Sequence, residues 1–333
     1  MIALFVVAAL LAGGLVYQAA GERADARRYP APGQRIQLLD GSKLHVHAQG
    51  QAGPVVVFEA GIAGSSLTWA TVQPLVAEFA CAVTYDRAGL GWSSAVNSPR
   101  TVANMVAELA TALETAQLAP PYILVGHSFG GLLILAFAHT YPGRVAALVL
   151  VDPVTQRGWL DASVQQLRRL RLGARLARRG AWLARFGVVR AALALLVGGG
   201  TKAPQLVARA AAGQGNSVIE KLIGEVRKLP PEAQPVVAAH WSRARSFRAL
   251  AAYLECLPAC ARVALQMPAP PAIRLTILSA ATATSDELAE RAAWVAAHQN
   301  GYHVPVENTG HWLQLERPEL VAAMIRDTLV RVR

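Results

Sequence analysis

The sequence predicts an α/β protein, on three observations. Short apolar runs of strand length recur along the chain, at residues 55–59, 81–85, 122–125, 145–151, 273–278 and 302–306, and stretches with helical spacing separate them. The run at 122–125 stops at Gly126-His127-Ser128-Phe129-Gly130-Gly131, and Leu132, Leu133, Leu135, Ala136 and Ala138 then resume with helical spacing, which reads as strand, sharp turn, helix. Near the C-terminus a histidine follows glycine, Gly310-His311, in a loop after the last strand-like run. With 333 residues, 53% of them apolar, the chain can bury a large core, and disorder is not indicated.

Taken in order, residues 2–20 are almost continuously apolar, long enough at helical rise to cross a bilayer's hydrocarbon core. Residues 1–21 are therefore expected to form a membrane anchor. The alternative, a cleaved signal segment, matches less well, because no Lys or Arg precedes the apolar run and the small-residue site around Ala19 to Gly21 is mediocre. Arg23, Arg27 and Arg28 argue for a cytoplasmic C-terminal side, but Glu22 and Asp25 dilute them, so export of the body stays open. Residues 22–34, with Pro30, Pro32 and Gly33, read as a linker.

Two strands at 35–39 and 43–47 follow, joined by the hairpin signal Asp40-Gly41. His45 and His47 have no third ligand nearby, so they are expected at the surface or core edge and no metal site is expected. After the strand at 55–59 and the turn Ala60-Gly61-Ile62, Ser65 is placed to cap a helix carrying Trp69, Val72, Leu75, Val76 and Phe79. The strand at 81–85 runs into Asp86-Arg87, expected to pair with each other and brace the following loop, since buried charges need partners. A helix at 101–118 leads to the central strand, and 145–151 ends in Asp152-Pro153.

The turn at Ser128 carries the chemistry. A serine on so sharp a bend takes strained backbone angles, and Gly126 and Gly130 supply the room its neighbours need. Ser128 is then displayed at the sheet end above the positive end of a helix dipole, with the Phe129 N–H free for a developing oxyanion.

These residues resemble an α/β-hydrolase of the esterase and lipase superfamily. The likeness runs from about Arg35 to Val330 and includes Val55-Val56-Val57-Phe58-Glu59-Ala60-Gly61, Tyr85-Asp86-Arg87-Ala88-Gly89-Leu90-Gly91-Trp92-Ser93 and Asn308-Thr309-Gly310-His311-Trp312. It implies the α/β-hydrolase fold: a mostly parallel eight-stranded sheet with flanking helices and an inserted helical cap. The core is then 35–153 and 272–333, and the cap is 154–271. The resemblance implies Ser128 as nucleophile, His311 as base and Ile62 as second oxyanion donor beside Phe129. Ala60 departs from the family's usual histidine, which affects loop geometry more than a hole built from backbone N–H groups.

The base also needs a carboxylate to fix its tautomer. The superfamily's usual position, about five residues past the strand at 275–278, holds Ala281-Thr282-Ala283. Asp152, at the end of the strand after the nucleophile helix, resembles the position used in pancreatic-type lipases and is the expected acid. Asp286 is the alternative, though an acidic residue there also suits the first turn of a helix at 286–298.

Lys plus Arg exceed Asp plus Glu by 32 to 21, a net charge of +11. Much of that excess is Arg168, Arg171, Arg175, Arg178 and Arg179, which fall on one helical face of the cap while Leu167, Leu170, Ala174 and Ala177 fall on another. No nucleic-acid motif accompanies the charge, so it is read as a solvated face or as a lid facing anionic membrane, with Gly198 to Gly200 as a hinge or break. Of three cysteines, Cys81 is expected in the core, and Cys256 and Cys260 are left as a local disulfide or two thiols. The combined expectation is an ester-cleaving serine hydrolase of apolar small molecules or lipids, needing no cofactor. The alternatives are a catalytically silent membrane-anchored binding protein and a carbon–carbon bond hydrolase using the same triad.

Overall fold

A computed structural model describes residues 1–51, 53–197 and 227–332; the expected break at Gly198 to Gly200 lies outside them. Eight strands form one sheet in the order β1-β2-β4-β3-β5-β6-β7-β8. They are β1 (Gln34–Gln37), β2 (Lys43–Gln49), β3 (Val55–Glu59), β4 (Cys81–Tyr85), β5 (Tyr122–His127), β6 (Val145–Val151), β7 (Arg274–Ala280) and β8 (Tyr302–Val306). Strand β2 is antiparallel to both neighbours, and β3 to β8 are parallel. The runs that look continuously apolar in sequence are the central strands, because a parallel sheet is covered on both faces.

The period-two alternation divides that apolar content between two cores. Val55, Val57, Leu124 and Leu148 point to one side, where α3 (Val102–Thr115), α4 (Phe129–Thr140) and α9 (Ala244–Leu265) cover them. Val56, Phe58, Ile123, Val125 and Val149 point to the other, against α2 (Val72–Ala77) and α12 (Pro318–Val330). Helix α4 is buried nearly all round, which accounts for its uniformly apolar sequence.

Between β6 and β7 the described chain is helical: α5 (Arg157–Leu160), α6 (Val164–Arg185), α7 (Val188–Val197), α8 (Ala233–Trp241) and then α9. Ser163 opens α6 with a capping box shared with Gln166. Ala174, Ala177, Ala181 and Ala184 give α6 a small-residue face that is buried, while its arginines are exposed. Helix α10 (Ser285–Ala296) precedes β8, and α11 (Leu313–Glu316) precedes α12. Helix α1 (Ile2–Arg28) is long and apolar enough to cross a membrane and is almost wholly exposed.

Several local expectations are corrected. Ser65 makes no side-chain cap; a 3-10 turn at Ser66–Trp69 intervenes before α2. His45 is not at the surface: it is fully buried, its Nδ1 lies 2.9 Å from Asp86 and its Nε2 2.6 Å from the Pro32 carbonyl. Asp86 therefore pairs with His45 and not with Arg87, and it also accepts the Ser66 and Trp92 N–H groups. Arg87 pairs instead with Glu59. The physical reason is the strand order: β4 lies between β2 and β3, and just past its end Asp86 reaches His45 on β2 while Arg87 reaches Glu59 on β3. Cys256 and Cys260 are both free thiols.

Candidate active site

The bend after β5 puts Ser128 at φ 53° and ψ −120°, a conformation that side-chain-bearing residues rarely adopt. It persists because both flanks are locked. The Ser128 N–H donates to the Val151 carbonyl at 3.1 Å, and the Ser128 carbonyl accepts from Gly131 at 3.0 Å. The glycines are sterically required: a Cβ on Gly126 would lie 2.9 Å from the Gly130 carbonyl, and one on Gly130 would lie 2.6 Å from the Glu59 carbonyl.

Three side chains from separate segments meet here. His311, in the loop before α11, has Nε2 2.9 Å from the Ser128 Oγ and Nδ1 2.6 Å from an Asp152 carboxylate oxygen. Ser128 and Asp152 are buried, whereas the His311 ring is half exposed toward a cavity of about 270 Å³. Asp286 is not brought to this cluster; it occupies the first turn of α10 and is exposed.

Asp152 has φ 43° and turns its carboxylate across to the end of β7. Its second oxygen accepts from the Ala280 N–H at 3.0 Å and from the Arg291 guanidinium at 2.8 Å. Burial alone would raise its pKa, but the hydrogen bond with His311, the Arg291 charge and the Ala280 N–H together hold it below the ordinary carboxylate value. Arg291 was not singled out in the sequence. It is 2% exposed on α10 and also binds the Ser279 hydroxyl at 3.0 Å and the Pro153 carbonyl at 2.6 Å. In sequence it is one arginine following three acidic residues of the same helix, which reads as an ordinary charged surface, and a single sequence does not reveal that it is buried.

The second unanticipated residue is His127. Its Nε2–H donates to the His311 carbonyl at 2.8 Å and its ring lies against the His311 and Trp312 rings. Burial, followed by the neighbouring His311, pushes its pKa down to about 3, so it is neutral and fixes the His311 backbone without adding charge.

Phe129 directly follows the serine, and the residue before Ile62, Gly61, comes close to it. Phe129 is the first residue of α4, where N–H groups lack intrahelical acceptors. Ile62 follows Gly61, whose position is so close to the serine that a Cβ there would lie 3.5 Å from Ser128 Cβ. Arg87 braces this loop by donating to the Ala60 carbonyl at 2.6 Å, the Ile62 carbonyl at 3.2 Å and the Gly61 carbonyl. Its charge is balanced by Glu59, which also accepts from the Tyr85 hydroxyl. Drawing three successive carbonyls toward one guanidinium fixes the loop's peptide planes. Beside the three side chains, the cavity is lined by Pro153, Val154, Thr155, Trp159, Gln166 and Glu287 among others.

The model of the alpha/beta hydrolase family matches residues 56–324. The chain belongs to the α/β hydrolase family, a superfamily of hydrolases. The uncharacterized protein YqjL of Bacillus subtilis is 38% identical over 125 residues, 36% of this chain and 48% of its own length. The 2-hydroxy-6-oxo-2,4-heptadienoate hydrolase of Pseudomonas putida is 34% identical over 123 residues, 36% of this chain and 44% of its own. The matches thus span about half of these curated relatives or less. Among solved structures, a putative ancestral haloalkane dehalogenase aligns with TM-score 0.65 at 17% identity, covering 90% of this chain and 99% of that one, and so shares the fold.

Proposed function

We propose that this hydrolase cleaves carboxylic esters through an acyl-enzyme on Ser128. The observation that carries the reading is the unbroken hydrogen-bonded line Asp152–His311–Ser128, with spacings of 2.6 and 2.9 Å. In this mechanism His311 Nε2 takes the Ser128 proton as the Oγ attacks the ester carbonyl, and Asp152 stabilises the imidazolium through Nδ1. The Ile62 and Phe129 N–H groups hold the tetrahedral oxyanion, and the helix dipole of α4 favours the same charge. His311 then returns the proton to the leaving alkoxide. Water, activated by the same imidazole, releases the acid and restores Ser128.

A serine nucleophile separates this chemistry from the dehalogenase and epoxide hydrolase reactions, where the family uses an aspartate at the same bend. A cavity of about 270 Å³ lies at the small end of ligand pockets, which favours a compact ester over a long-chain lipid. Residues 154–271 act in this reading as the cap that shapes that cavity. Helix α1 acts as a retained anchor: Gln18 on it donates to the Ser242 carbonyl and accepts from Arg190, contacts that cleavage near Gly21 would remove, while Asp25 beyond the cut pairs with the same Arg190.

The test is hydrolysis of p-nitrophenyl esters of increasing acyl length. The expected outcome is turnover that falls with chain length. Asp152→Asn should lower kcat by about four orders of magnitude, as for a base left in the wrong tautomer, while Asp286→Asn should leave it within about twofold. Near-normal turnover by Asp152→Asn would move the acid elsewhere. Carbon–carbon hydrolysis by the same residues is the second reading, favoured by the similarity to the heptadienoate hydrolase; its mark would be cleavage of a vinylogous 1,5-diketone with no turnover of esters.

A further inference from the structure

Helix α1 leaves the body at a defined point. Residues Ile2 to Gly13 are each exposed, and then Gly14, Gln18, Gly21 and Asp25, spaced four, three and four apart, form the one stripe of the helix that is covered. The two glycines let the backbone come close: a Cβ on Gly14 would lie 2.5 Å from the Phe186 carbonyl, and one on Gly21 would lie 2.5 Å from Arg190 Nε. The two polar residues fasten the contact. Arg190 Nη1 is 2.8 Å from Asp25, its Nε donates to Gln18 at 3.1 Å, and Gln18 donates to the Ser242 carbonyl at 3.0 Å. From the other side Gly187, at φ 75°, receives the Tyr17 ring.

The exposed length has a consequence. Twelve residues of helix rise only about 18 Å, whereas a bilayer's hydrocarbon core is about 30 Å and takes about 20 residues. A spanning α1 must therefore draw the stretch from Gly14 to Gly21 into or against the membrane, and the corner between α6 and α7 that is packed on it must come along. That corner carries Trp182, 59% exposed and edge-on to the Phe186 ring, with Val188 and Leu195 also exposed. Beside them the exposed face of α6 presents Arg171, Arg175, Arg179 and Arg185, and α6 contains no acidic residue.

We infer that the α6–α7 corner, led by Trp182, is a second membrane contact that sits in the interface of an anionic bilayer alongside α1. This rests on the reading of α1 as a retained anchor. Indole at headgroup depth, aliphatic side chains below and arginines above toward lipid phosphates is the arrangement an interfacial element requires. The docked stripe then sets the body's height and tilt on the membrane.

The experiment uses the full chain reconstituted with phosphatidylcholine vesicles containing phosphatidylglycerol, with and without lipids brominated near the headgroup. Trp182 is the exposed tryptophan of the seven, the other six being buried or half-buried. Bromolipid should therefore quench the wild type strongly, and Trp182→Phe should lose about half of that quenching or more. Equal quenching of the two chains, both floating with the vesicles, would overturn the inference while leaving the anchor in place. A chain that fails to float with vesicles through an alkaline wash would overturn the anchor and the second contact together.

Discussion

At the level of single residues, the site depends on two histidines in opposite electrostatic situations. His311 has a carboxylate on one nitrogen and a hydroxyl on the other, whereas His127 is buried against it and stays neutral. His240, on α8, is also buried, has no hydrogen-bond partner on either nitrogen among the described residues, and is pushed by burial to about 3. Both groups bind a proton near pH 6.5 when unfolded but only near pH 3 when folded, so the unfolded chain holds more protons between those values. Stability is then full above pH 6.5 and is lost as pH falls. Denaturant melts from pH 7 to pH 4 should show this fall, and His240→Leu should lessen its slope by about 1.4 kcal/mol per pH unit. An unchanged slope would mean that His240 is solvated or paired. Neither histidine's burial was legible in the sequence. Ser128 and His311 were, because glycine spacing and chain order announce them, and Asp152 was legible only as one of two candidates.

At the level of elements, the strands and the bend at Ser128 follow directly from local pattern, since β3 to β8 read as apolar runs and their turns as Gly-rich breaks. What local pattern missed was partner choice. Asp86 and Arg87 do brace the loops that carry Ile62 and Ser66, yet they pair with His45 and Glu59, residues distant in sequence that only the sheet order brings near. Arg87 is buried with Glu59, so removing it leaves a carboxylate uncompensated. Arg87→Met should cost about 3–5 kcal/mol of stability. It should also lower kcat more than it raises KM, because the loop holding the Ile62 N–H loses the guanidinium that aligns it. The double substitution Glu59→Gln with Arg87→Met should regain stability, measured by urea unfolding, without regaining kcat. Recovery of both would reduce Arg87 to a structural ion pair.

For the whole molecule, a sheet inherited with its family carries the bend at Ser128 at one end, and the helices between β6 and β7 contribute Gly158, Trp159 and Gln166 to the cavity beside it. A long apolar helix is fastened to the inserted helices by the stripe from Gly14 to Asp25. The sequence made the helix and the arginine face visible as separate features, and their adjacency appeared only once the chain was folded. On the proposed reading Ser128 is a nucleophile primed by His311 and Asp152. The most direct measurement of that claim is intact-mass analysis after exposure to a fluorophosphonate probe. One probe adduct located on Ser128, absent from Ser128→Ala and strongly slowed in Asp152→Asn, is the expected result. A wild-type chain that takes up no probe, or a Ser128→Ala chain that takes it up equally, would contradict it.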